Sequence, residues 1–121
     1  MAQRVLVADD SGVMRTIIVR SLNAIGVTDI VQAADGVEAM DKFKAGTFDI
    51  VLTDWNMPNK TGLEVLKEIR AMGSDVPVIM ITTENEKGRV VEAIQAGVTD
   101  YLAKPFDKDR LREKLEKYTT A

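Results

Sequence analysis

The stretch Ile50–Arg70, IVLTDWNMPNKTGLEVLKEIR, decides the fold. It opens on a short β-type run, Ile50–Thr53, that leads directly into Asp54. It closes on a helix-type segment, Gly62–Met72, with Leu63, Leu66 and Ile69 at helical spacing and Gly73 as a stop. A strand, an acidic residue at its end, a loop and an amphipathic helix make one β–α unit.

The unit repeats in both directions. Upstream, Val5–Ala8 is an apolar run bounded by Asp9-Asp10, followed by a helix over Val13–Ile25 carrying Met14, Ile17, Ile18, Leu22 and Ile25 and closed by Gly26. Ile30–Ala34 is a weaker strand, interrupted by Gln32, and Gly36–Lys44 is a helix with Val37, Met40 and Phe43 on its stripe. Downstream come a strand at Val78–Thr82 and a helix at Lys87–Ala96 with Val90, Val91 and Ile94. The last pair is a short strand, Tyr101–Ala103, and a helix at Asp107–Tyr118 with Leu111, Leu115 and Tyr118 inward and Asp107 as N-cap. Strict alternation predicts an α/β fold with right-handed crossovers and a parallel sheet covered on both faces. The first, third and fourth strands are the most apolar and belong in the centre. This predicts a doubly wound, flavodoxin-like sheet of order 2-1-3-4-5, whose ligands bind at the carboxyl ends of the first and third strands.

Composition narrows the chemistry. The 121 residues contain no histidine and no cysteine. Disulfides, zinc knuckles, thiol nucleophiles, catalytic triads and imidazole bases are therefore excluded, and any metal must be a hard cation on oxygen ligands. A net charge of −3 argues against a nucleic-acid partner. No signal-peptide layout or long apolar run points to a membrane, so a cytoplasmic, single-domain protein spanning 1–121 with no output domain is expected.

The polar residues that interrupt the pattern fall at the strand carboxyl ends: Asp9 and Asp10, Asp54, Thr82, and Lys104 before Pro105. Two carboxylates about 4 Å apart repel by roughly 4 kcal/mol at an effective dielectric near 20, which a cation relieves. Mg²⁺ suits such a site, and Lys104 balances part of the charge. A carboxylate beside Mg²⁺, a lysine and a threonine hydroxyl can attack an activated phosphoryl group in line, leaving an acyl phosphate on Asp54. A Mg²⁺-dependent phosphohydrolase would want a second acid where Asn56 stands, and an FMN-binding electron carrier would find its phosphate repelled by Asp9-Asp10.

These residues resemble the signature of the receiver domain of two-component response regulators, over essentially the whole chain. Thr53–Arg70, Val76–Lys87 (VPVIMITTENEK) and Ala93–Phe106 (AIQAGVTDYLAKPF) are similar in particular to the chemotaxis members of that family. The resemblance implies Asp54 as phosphoacceptor. It implies Mg²⁺, with Mn²⁺ or Ca²⁺ able to substitute, on Asp10, Asp54 and the Asn56 carbonyl, with Asp9 acting through water. It implies that Lys104 contacts the phosphoryl group next to a cis peptide bond to Pro105, that Thr82 and Tyr101 form the switch, and that Asn56 and Glu84 tune dephosphorylation. Implied partners are a histidine kinase as donor, a flagellar motor switch protein or other target on the α4-β5-α5 face, and a phosphatase. The protein would act as a monomer and catalyse only its own phosphorylation and dephosphorylation; a phosphorelay shuttle is the alternative role. Thr61, Ser11-Gly12 and Gly88 depart from the family pattern, Gly88 implying a loosened start of the fourth helix. From the residues alone, Trp55 reads as a partly exposed loop aromatic. Met14, Met40, Met72 and Met80 read as core filler and Met57 as loop packing.

Overall fold

The computed structural model describes residues 4–83, 90–104 and 106–118, with Thr82, Thr83 and Val90 described by backbone alone. Five strands, β1 (Arg4–Ala8), β2 (Asp29–Ala33), β3 (Ile50–Asp54), β4 (Val78–Thr83) and β5 (Asp100–Lys104), alternate with five helices. These are α1 (Gly12–Ala24), α2 (Gly36–Ala45), α3 (Gly62–Ala71), α4 (Val90–Gln95) and α5 (Lys108–Tyr118). The strands form one parallel sheet in the order β2-β1-β3-β4-β5, the order expected.

Strand alternation divides the core in two. Val5 and Val7, Ile50 and Leu52, and Ile79 and Ile81 face α1 and α5, where they meet Ile18, Leu22, Leu111 and Leu115. Leu6 and Ala8, Val51, and Val78 and Met80 face the other way, onto Met40, Phe43, Val65, Leu66, Ile69 and Ala93. Burial on both faces is why these strands read as continuous apolar runs.

Local chemistry starts each helix. The side chains of Ser11, Asp35 and Thr61 accept from the backbone N–H groups of Met14, Glu38 and Glu64. Thr61 and Glu64 form a full capping box, so the residue that departs from the family pattern has a helix-starting role. Asp107 caps α5 as expected, accepting from Arg110 at 2.8 Å. At the far end of the sheet Arg70 ties α3 to the α4–β5 turn. Its guanidinium donates to the carbonyls of Gly97, Ser74 and Val76 and to the Thr99 hydroxyl.

Several inward-facing residues differ from expectation. Val91 and Ile94 are 59% and 63% exposed, and the α4 residues that pack inward are Ala93 and its neighbour Ala96. Ile17 and Val37 are likewise exposed, beside buried Ile18 and Met40. Spacing fixes which residues share a stripe. It does not fix which of two adjacent stripes meets the sheet, and in α4 the bulkier one faces out. Met72, just past α3, is exposed, while Met40 and Met80 are core. Trp55 is buried at 4% exposure, against the expected partial exposure, because the loop after β3 folds its ring back onto the core between the sheet and α2–α3. The Gly88 expectation lies outside the described residues.

Gly62 marks the tightest return of that loop. Its N–H donates to the Trp55 carbonyl at 2.9 Å. A Cβ on it would overlap the Asp54 carbonyl oxygen and lie 3.0 Å from Met80 Sδ. Gly62→Ala should therefore lower stability by at least the ~1–3 kcal/mol of an overpacked core. Urea unfolding should show a reduced midpoint at unchanged slope.

Candidate functional site

The parallel register builds the site. Ala8 of β1 pairs with Thr53 of β3, so the next residues, Asp9 and Asp54, leave adjacent strands at the same level. Asp54 pairs with Ile81, so Thr82 stands one residue further along β4, and Lys104 ends β5 opposite Thr83. Asp9, Asp10 and Asp54 each bring a carboxylate oxygen to within 4.8 Å of the others. Lys104 Nζ lies 3.3 Å from Asp54 Oδ1 and 3.5 Å from Asp9 Oδ2. Three expected carboxylates and the expected ammonium are thus brought together at one rim.

The side chains are unequally placed. Asp9 is buried, and its Oδ1 accepts from the Ser11 N–H at 2.9 Å. Asp10 is exposed. Asp54 is only 12% exposed at its side chain, and its Oδ1 accepts from the Trp55 N–H at 2.9 Å. Burial pushes the Asp54 carboxyl up to about 6, with the Asp9 charge adding to the rise and Lys104 opposing it. At neutral pH a carboxyl raised to that value is still mostly ionised, so its chemistry is that of a carboxylate rather than of an acid.

The donor set fits a hard divalent cation: all oxygen, excess negative charge, one exposed carboxylate and two anchored ones. Asn56 follows Asp54 by two residues on the same exposed loop. Tyr101 is 47% exposed on β5. The Thr82 hydroxyl, Glu84 and Pro105 lie outside the described residues.

Arg15 is a contributor that the motif reading missed. Its Nη1 donates to the Asp9 carbonyl at 2.6 Å, holding the turn between β1 and α1. The signal was available, since Arg15 is the cation one turn beyond the Ser11 cap, but on a helix face it reads as an ordinary surface charge.

The model of the response regulator receiver domain matches residues 5–116. The chain belongs to the response regulator receiver family. It is 45% identical over 116 residues to chemotaxis protein CheY1 of Helicobacter pylori strain J99, covering 93% of this chain and 94% of that protein. It is 46% identical to a CheY homolog of Campylobacter jejuni, covering 93% and 89%. Among solved structures, the receiver domain of the sensor histidine kinase PA1611 from Pseudomonas aeruginosa superposes with a TM-score of 0.90 at 32% identity over the whole of both chains. That structure has a magnesium ion coordinated in its active-site cleft. Among the described residues no helix is long and apolar enough to cross a membrane.

The raised Asp54 pKa has a defined sign. A carboxyl that ionises near 3.8 when unfolded and near 6 when folded makes the folded state bind the extra proton. Its charge therefore costs stability progressively as pH rises through that window, and the full cost remains above it. In EDTA, Asp54→Asn should raise the melting temperature at pH 7.5, and the gain should shrink as pH falls toward 4.

Proposed function

We propose that this chain is a chemotaxis-type phosphorylation switch that accepts a phosphoryl group from a histidine kinase on Asp54. The observation that carries the reading is an ionised, largely buried Asp54 held between two further carboxylates and the Lys104 ammonium. Similarity to the CheY proteins of Helicobacter and Campylobacter supports the chemotaxis assignment.

An Asp54 oxygen attacks the phosphorus of the donor's phosphoimidazole. The new P–O bond forms as the P–N bond breaks, and the imidazole leaves with the bonding electron pair and takes up a proton. Asp9, Asp10, Asp54 and the Asn56 carbonyl would hold Mg²⁺, or Mn²⁺ or Ca²⁺ in its place. When bound, the ion neutralises charge on the phosphoryl oxygens. Lys104 moves from its pairing with the carboxylates to a phosphoryl oxygen, a charge-assisted contact. Thr82 would donate to another oxygen, and Asn56 and Glu84 would govern access of the hydrolysing water. Positioning and charge stabilisation suffice for this transfer, so the protein acts on itself and turns over no separate substrate.

The output is a change of partner. Val91, Ile94 and Tyr101 form exposed apolar surface on α4 and β5, next to the charged face of α5. A target such as the flagellar motor switch would dock there, as phosphorylation redistributes pre-existing arrangements of Thr82, Tyr101 and α4. The protein would work as a cytoplasmic monomer, with a phosphatase shortening the signal.

Mass spectrometry tests the reading directly. Incubated with Mg²⁺ and acetyl phosphate or phosphoramidate, the wild type should gain one phosphoryl group and Asp54→Asn none. No gain in the wild type, or an equal gain in the variant, would sink it.

A further inference from the structure

We infer that the first turn of α2 is the brace that positions the Asn56 segment of the site, with Asn59 and Asp35 as the positioning residues. This rests on the proposed Mg²⁺-dependent phosphoacceptor function of Asp54.

The loop between β3 and α3 is pinned at both ends. The Trp55 N–H donates to Asp54 Oδ1 and the Gly62 N–H to the Trp55 carbonyl. Trp55 and Met57 sink into the core on either side of Asn56, and the segment beyond gains a further support from another β–α unit. Asn59 has φ 69°, the one non-glycine residue with positive φ among the described residues. Asparagine tolerates this left-handed conformation better than most residues, though at some cost. In that conformation its Nδ2 donates to Asp35 Oδ2 at 2.9 Å. The other oxygen of Asp35 accepts from the Glu38 N–H at 2.8 Å and caps α2. One carboxylate therefore starts a helix with one oxygen and holds the loop with the other. The Glu38 N–H, and then the Asn59 amide, keep the Asp35 carboxyl below its ordinary pKa, so both acceptors persist at neutral pH.

Shape adds to this. The Lys60 N–H donates to the Pro58 carbonyl at 2.7 Å, turning the chain so that its own carbonyl rests on Gly36. A Cβ at Gly36 would overlap that carbonyl and the adjoining backbone carbon. The seat is firm, because α2 buries Ala39, Met40 and Phe43 in the core and Glu38 Oε1 accepts from the Ala34 N–H at 2.8 Å. The segment that follows Asn56 is thus seated on a helix that contributes no group of its own to the acidic cluster.

The orientation of the Asp35–Asn59 bond permits a swap test. Asp35→Asn leaves an oxygen for the Glu38 N–H and turns an amide toward the loop, so the Asn59 carboxamide must turn over to accept, a neutral bond in place of a charge-assisted one. Asn59→Asp, which also tolerates positive φ, faces Asp35 with a second carboxylate. Combined, the two substitutions restore one donor and one acceptor in reverse order at unchanged net charge. Mg²⁺ dissociation constants should be measured by titration calorimetry, and melting temperatures in EDTA. Asn59→Asp should bind Mg²⁺ about three- to tenfold more weakly, at the lower edge of the ~10–100-fold losses from removing the partner of a metal ligand, and Asp35→Asn should lose less. The double variant should return to within about twofold of wild type, the coupling that a double-mutant cycle isolates. Asp100→Asn is the stability control. It removes the acceptor of Lys114 and Tyr118 at the opposite end of β5, and it should lower the melting temperature without changing Mg²⁺ affinity. Wild-type affinity in both single variants, or no recovery in the double variant, would overturn the inference and leave the phosphoacceptor reading standing. Absence of Mg²⁺ binding by the wild type would overturn both.

Discussion

Three carboxylates that reach within 4.8 Å of one another repel strongly, and the Lys104 ammonium offsets part of that repulsion. The pairing constrains the whole sheet. Lys104 ends β5 and Asp9 follows β1, with β3 and β4 between them. The ammonium reaches both Asp9 and Asp54 because all the strands run parallel and deliver their carboxyl ends to one rim. Burial, with the Asp9 charge adding to it, keeps the Asp54 carboxyl raised to about 6 despite the lysine. A site in this condition favours whatever brings positive charge to it, and Asp54 stays mostly ionised at neutral pH.

Most of the architecture was legible in the chain. Ile50–Thr53 running into Asp54 reads as a strand feeding a ligand because parallel central strands are apolar on both faces. Asp9, Asp10 and Lys104 stand out because they break such runs. What was not legible has a common cause. Val91 and Ile94 carry the helical signal in α4, yet Ala93 and Ala96 face the sheet, since periodicity is blind to which of two neighbouring stripes is covered. Trp55 follows a site residue in a polar loop, and only the return of the loop at Gly62 buries it. Asn59 acts through a single contact with a distant cap, for which local sequence has no pattern, and Arg15 reaches back to the Asp9 carbonyl from a helix face where a cation reads as surface charge.

The loop after β3 illustrates how separate β–α units share one task. Its start is fixed by Asp54, its end by Gly62 beneath the Asp54 carbonyl, and its middle by the first turn of α2. None of these contacts is strong alone. Together they narrow the conformations open to a segment that lacks regular structure, which is how an exposed loop can present a backbone group in a constant place.

Helix α4 is the opposite case. Among its described side chains Ala93 alone is buried, whereas α3 sinks Val65, Leu66 and Ile69 into the core. Removing one methyl group's worth of apolar surface costs about 0.8 kcal/mol, little more than thermal energy. Arg70 meanwhile holds the turn beyond the carboxyl end of α4 through the Gly97 carbonyl. The described length of α4 therefore keeps more apolar side chain in water than in the core: one methyl is covered while two branched chains, Val91 and Ile94, stay wet.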